Sequence, residues 1–126
     1  IIKPELIEEN IDGKKYFMTR ETQISSDTSG VHLLPGFDEY LLGYKDRSAV
    51  LTAEHAPKII PGNNGVFQPT VVIEGQVRGT WKRVMKKKSV EVNVQLFAQS
   101  DMYERELIEE KKRYSKFIGL PLSEKK

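Results

Sequence analysis

The chain has 126 residues, no cysteine, and 20 Lys and Arg against 18 Asp and Glu, for a formal charge of +2. That length suits one ordinary domain, or a small domain joined to the remnant of a neighbour. The missing cysteines exclude disulfides, thiolate metal sites and a thiol nucleophile, and the runs HLLPGF and VFQPTVVI fall far short of the ~20 apolar residues that span a bilayer.

A soluble, cytoplasmic protein is therefore the expectation. The first segment, IIKPELIEEN, starts at Ile1 and already reads as structured sequence, as expected for the C-terminal part of a larger protein. LIEENI and KKYFMT then flank Asp12-Gly13, a dipeptide that favours the two-residue turn of a β-hairpin. Residues 5 to 20 are predicted as a hairpin, fitting the last two strands of a domain whose beginning is missing. Residues 21 to 30 are rich in Ser and Thr, end in glycine and lack periodicity, so they read as a linker or an exposed loop.

VHLLPGFDEYLLGYKDR holds an apolar run, a Pro-Gly turn and a second apolar run, predicting a strand, a turn, and then a short strand or a turn of helix. Thr52 to Lys58 suit a single helical turn capped by Thr52 and kept short by Pro57 and Pro61. In PTVVIEGQVRGTWKRV two β-branched runs meet at Glu74-Gly75, which predicts a hairpin. Strand alternation then puts Val77, Gly79 and Trp81 on one face and Arg78, Thr80 and Lys82 on the other. SVEVNVQLF alternates as well, with Val90, Val92, Val94 and Leu96 on one face. Three antiparallel strands with one apolar face, closed by the earlier strands, predict a small β-barrel over 31–99.

The period changes in the last segment. Asp101 and Glu104 form a plausible capping pair, and Tyr103, Leu107, Tyr114 and Phe117 or Ile118 lie along one helical stripe. Gly119 and Pro121 end the helix, and Glu109 and Arg113 stand at pairing distance on its charged face. The expected fold class is thus mainly β with a C-terminal α-helix.

Arg78, Lys82, Arg83, Lys86, Lys87 and Lys88 make the densest basic cluster. It suits a phosphate backbone, which attracts cations without reading sequence, or else it is a solvated rim guarding a strand edge. Lys45 and Arg47 form a second basic pair, with Asp46 placed to bridge Arg47 and fix the turn. Asp38 and Glu39 are adjacent, so on a strand they point to opposite faces and make no acid and base pair. His32 and His55 lack the spacing of a metal motif. Trp81 suits a base-stacking role, but a lone tryptophan on an apolar strand face reads first as core. Gly62, Gly65, Gly75 and Gly79 build no phosphate-cradling loop.

LLPGFDEYLLGYKDR (33 to 47), PGNNGVFQPTVVIEGQVRGTW (61 to 81) and the basic strand after them resemble the winged-helix DNA-binding family that includes the AlkZ-type DNA glycosylases. The most specific elements are the first block and the G-x-x-x-G-T-W stretch from Gly75 to Trp81. The resemblance spans roughly residues 1 to 100. It implies tandem winged-helix domains followed by a β-barrel, with 1–20 the remnant wing hairpin of the last winged helix and 31–99 the barrel; the residues themselves add a linker at 21–30, a C-terminal helix at 100–119 and a tail at 120–126. The glutamine pair Q-x-Q of the family's glycosylases has no counterpart here, since no two glutamines stand two apart.

The expectation is a DNA-binding accessory module of a glycosylase-like protein. Lys45, Arg47, Arg78, Lys82, Arg83, Lys86, Lys87 and Lys88 would contact the backbone of double-stranded DNA, and upstream winged-helix domains of the same protein would be its partners. No catalytic residue, metal, cofactor or membrane contact is expected. The alternative is a scaffold that packs the winged helices together, with Trp81, Phe37 and Tyr40 at its interface or core. A free-standing hydrolase is disfavoured, because no activated nucleophile, metal set or acid dyad is visible.

Overall fold

The computed structural model describes residues 6–21 and 30–123. β1 (Leu6–Ile11) and β2 (Lys14–Thr19) pair antiparallel as a separate two-stranded sheet. Asp12 and Gly13 between them have φ of 51° and 77°, the two left-handed residues whose turn matches the twist of the strands it joins. The predicted hairpin is therefore present over 6–19. The expected linker lies, apart from Glu21 and Gly30, outside the described residues, as do 1–5 and 124–126.

The main sheet is antiparallel, in the order β3 (Val31–Leu34), β4 (Thr70–Ile73), β5 (Gln76–Met85) and β6 (Val90–Leu96). The long connection from β3 to β4 carries α1 (Glu39–Leu42), α2 (Ala56–Ile59) and a 3-10 turn at Pro61–Asn63. Of the two options for the run at 40–42, the helical turn forms, because the Asp38 carboxylate accepts the Tyr40 N–H at 2.9 Å. α2 starts with Pro57 in its first turn, where a missing N–H costs nothing. Thr52 does not cap it with its side chain; its carbonyl accepts the Ala56 N–H at 3.0 Å.

The sheet is open, which corrects the expected barrel. Among the described residues β3 and β6 are the edges and do not pair with each other. Four strands, two of them only four residues long, are too few and too short to tilt around into a closed wall. Instead the outer edge of β6 is met by the chain's end. Val90 bridges Leu122 in parallel, its N–H donating to Pro121 O at 2.9 Å while Ser123 N–H returns to Val90 O at 2.9 Å.

Layers on both faces do what closure would have done. α3 (Glu104–Ile118) covers one face, where Leu107 and Tyr114 pack on Val31, Val71, Ile73, Trp81, Val90 and Val92. On the other face Leu41, Leu51, Ile59 and Phe67 of the long connection pack on Val72 and Val77. Every residue of β4 is buried, so TVVI reads as a continuous apolar run rather than an alternating one. The single apolar face expected from sequence is thus two faces.

A bulge in β5 changes which face its side chains take. Val71 pairs with Gly79, yet Val72 pairs with Val77, leaving Arg78 as the extra residue. Val77 therefore enters the core beneath the long connection and Trp81 the core beneath α3, so the two do not share a face as the plain alternation had it. Val90, Val92, Val94 and Leu96 do share the α3 face.

α3 begins without a side-chain cap. Asp101 supplies its carbonyl, accepting the Glu104 N–H at 3.2 Å, rather than a capping carboxylate. Gly119, at φ 78°, ends the helix as expected. Its surface pairs are Glu109 with Lys112 at 3.1 Å and Glu110 with Arg113 at 3.5 Å, not Glu109 with Arg113. Of the two candidates at the end of the stripe, Ile118 is half-buried and Phe117 is 83% exposed.

Candidate functional site

The far half of the β5–β6 hairpin has two unlike faces. Directly paired residues share a face, so Trp81 with Val94, Arg83 with Val92 and Met85 with Val90 lie toward α3, while Thr80 with Gln95, Lys82 with Asn93 and Val84 with Glu91 lie away from it. The long connection covers only the near half of the sheet. The away face is left as an open hollow lined by Gln68, Thr80, Lys82, Val84, Asn93 and Gln95, together with Trp81 and Val94.

The cations of this limb differ in what they already hold. Lys86 is 3.2 Å from Glu91, and Asn93 donates to the same carboxylate at 2.8 Å, so that acid is committed inside the limb. Lys86 N–H donates to Ser89 O at 2.9 Å, which closes the turn and sets Lys87 and Lys88 at its exposed tip. Arg83 donates from Nη1 to Tyr114 Oη at 2.6 Å. Among the described residues Lys82, Lys87 and Lys88 make no ion pair.

Lys82, Arg83, Lys86, Lys87 and Lys88 lie on the far limb of the hairpin, Lys82 and Arg83 on its opposite faces, and the other three expected contacts lie outside that limb. Arg78 sits at the bulge, eight positions before Lys86, roughly 25 Å away along an extended strand. It borders a cavity shared with His55, Glu74 and Tyr103. Arg47 is taken up by the fold: Nε donates to Leu41 O at 2.6 Å and the guanidinium lies 4.9 Å over the Phe67 ring. Lys45 is exposed on the loop after α1. The bridge expected between Asp46 and Arg47 is replaced by Asp46 with Lys14 of β2, at 2.6 Å, backed by Ser48 Oγ at 2.7 Å. The hydrogen bond from Lys14, and then those from Ser48, hold the Asp46 carboxyl well below the usual carboxylate range, and Asp46 in turn raises the Lys14 ammonium.

Thr80, Asn93, Gln95 and Gln68 were not singled out from sequence. For Asn93 and Gln95 the signal was there in SVEVNVQLF, whose polar positions alternate with the valines that marked the core.

On the α3 side a second, apolar cleft of about 450 Å³ opens between the end of β3, β5 and α3. Trp81 and Tyr114 form its floor, their rings 5.2 Å apart and edge to face. Lys82 and Arg83 lie on its rim, and Phe117 at its mouth. Trp81 is buried, which settles it as core with one exposed border.

The histidines stand apart. His55 stacks on Phe97 at 4.3 Å, and Lys58 lies 4.8 Å from the same ring. Beside it the Tyr103 hydroxyl bonds to Glu74, which raises its pKa, and burial raises that of Tyr40; Tyr40 Oη donates to Gly75 O at 2.6 Å. Among the described residues no group of His, Asp and Glu is arranged to hold a metal ion, and no helix is long and apolar enough to cross a membrane.

A family model described as DNA glycosylase AlkZ-like matches residues 2–117. An interstrand DNA cross-link repair glycosylase of Streptomyces sahachiroi is 33% identical over 84 residues, 64% of this chain and 23% of that protein. The solved structure of the Streptomyces sahachiroi DNA glycosylase AlkZ is similar with a TM-score of 0.74 and 28% identity, over 97% of this chain and 34% of that one. The chain thus spans about a quarter to a third of the length of these relatives.

Proposed function

The chain belongs to the AlkZ-like DNA glycosylase family, and from that membership we propose that it acts in DNA repair as the part of such a protein that grips the DNA backbone. In this reading the hairpin of β1 and β2 is the wing of a winged helix that precedes it, and those upstream domains and duplex DNA are its partners. Base removal is assigned to residues elsewhere in the protein, since the family's glutamine pair has no match here.

One observation carries the reading. Among the described residues no apolar segment covers the away face of the β5–β6 limb, which presents Lys82 among Thr80, Asn93 and Gln95 and ends in Lys87 and Lys88. Ammonium groups neutralise phosphates, and hydroxyl and amide groups supply the uncharged backbone contacts that set register without reading sequence. Arg83 is half-engaged with Tyr114 and contributes from the rim. Arg47 and Arg78, committed or remote, are not part of the grip.

Amide chemical-shift mapping with a short duplex of arbitrary sequence tests this. The shifts are expected to concentrate at Thr80, Lys82, Lys87, Lys88, Asn93 and Gln95. Shifts confined to the Arg47 loop or to Arg78 would reject the assignment.

A second reading, a scaffold between domains that never touches DNA, is favoured by the apolar residues exposed on the first hairpin, with Ile11 at 54% and Phe17 at 47%. Under it the duplex would leave the limb unshifted.

A further inference from the structure

Phe117 is 83% exposed on the last turn of α3. A single exposed apolar side chain is ordinary; this one stands at the mouth of the cleft floored by Trp81 and Tyr114. We propose that this cleft is a subsite for one unpaired nucleotide, whose base lies against Phe117 and the Trp81 border while its phosphate meets Arg83. The proposal rests on the DNA-gripping reading and adds to it a preference for DNA with an unstacked base.

The chemistry of the walls points to that occupant. Among the described residues two cations and no acid line the cleft, and Glu110 in the adjoining hollow is paired with Arg113 at 3.5 Å. Aromatic faces bind any base by stacking, and a guanidinium beside them binds the phosphate. The Arg83 guanidinium is held in place by Tyr114 Oη at 2.6 Å, and the indole by its hydrogen bond to Leu34 O at 2.8 Å, so the platform is formed before anything binds. A peptide is less suited. Two of the lining residues are Pro35 and Pro69, which offer no backbone N–H, and at about 450 Å³ the cleft is the size of a small-ligand site rather than of a long groove. Lys82 borders both this cleft and the open polar face, so a strand on that face has its neighbouring base within reach of Phe117.

Trp81 is the sole tryptophan, so intrinsic fluorescence reports on the cleft directly. The test compares a short duplex holding one unpaired thymidine with a fully paired duplex of equal charge, for the chain and for Phe117→Ala. The bulged duplex is expected to quench Trp81 and to bind more tightly than the paired one, and F117A to remove that preference, weakening the bulged duplex by about fivefold or more while leaving the paired duplex unchanged. Equal quenching and affinity for both duplexes, or a preference that survives F117A, would overturn the subsite while leaving the grip intact. Absence of binding to either duplex would overturn both. Quenching by a short peptide with an aromatic residue next to two acids, without quenching by the bulged duplex, would reassign the cleft to a protein partner and overturn the proposal.

Discussion

The indole Nε1–H of Trp81 donates to the carbonyl oxygen of Leu34 at 2.8 Å, tying β5 to the end of β3 across the strand between them. The same ring meets Tyr114 of α3 edge to face at 5.2 Å. One side chain therefore holds two strands and the covering helix, and it also floors the apolar cleft.

Trp81→Phe keeps much of the ring volume and removes the donor, leaving the Leu34 carbonyl without its partner. An unmade hydrogen bond of this kind costs about 1–3 kcal/mol. Urea unfolding followed by circular dichroism is expected to show that loss with an unchanged m-value. An unaltered midpoint would mean that water replaces the indole freely.

Gly79 of β5 pairs with Leu96 of β6. A Cβ there would run into the backbone oxygen of Gln95, and backbone cannot swing aside as a side chain does. Gly79→Ala is expected to destabilise by about 1–3 kcal/mol or more and to weaken amide protection along β6. If its stability matched the parent chain, the tight approach at the bulge would be wrong.

Arg47→Lys tests whether that cation belongs to the fold or to a ligand. Lysine keeps the charge but loses the Nε–H donated to Leu41 O and the planar contact with Phe67. A loss of about 1–2 kcal/mol in stability is expected, with DNA affinity unchanged at matched ionic strength. The reverse pattern, intact stability and weakened binding, would return Arg47 to the interface.

The contact of Lys14 with Asp46 has a defined pH signature. Because the folded carboxyl sits below its unfolded value of about 3.9, its contribution is present above that value and is lost as pH falls through the folded pKa. The raised Lys14 ammonium contributes below its own unfolded value, about 10.4, and that part is lost as pH rises through its folded pKa. Both groups are exposed, so the effect on global stability is small; the readout is local. A carbon-detected NMR titration is expected to place the Asp46 midpoint below 3.9, and Lys14→Met to move it upward. No movement would mean that Ser48 alone sets it.

Both tight turns were legible because Asp12-Gly13 and Glu74-Gly75 each place two consecutive residues at positive φ, a demand few dipeptides meet. The end of α3 was legible because a single left-handed glycine, Gly119, closes it. The bulge was not. GQVRGTW keeps a regular alternation on paper, and only the pairing partners reveal that Arg78 is surplus and that Val77 and Trp81 part company. The open sheet was missed because strand count and pattern do not say whether edges meet, and the cover from Leu122 comes from a residue with no strand pattern around it. At the site, composition found the basic residues but not their commitments: Arg47 and Asp46 are adjacent in sequence, yet Arg47 bonds back to Leu41 O while Asp46 pairs with Lys14 of β2.

The most direct test of the backbone grip is the salt dependence of duplex binding, compared between the chain and a variant with Lys82, Lys86, Lys87 and Lys88 changed to Ser. Affinity is expected to fall with salt at a slope near −0.9 for each phosphate neutralised, and the variant to flatten that slope by about the same amount for each contact removed. Coincident slopes, or no binding to duplex even at low salt, would contradict the account and leave the basic limb as a solvated edge.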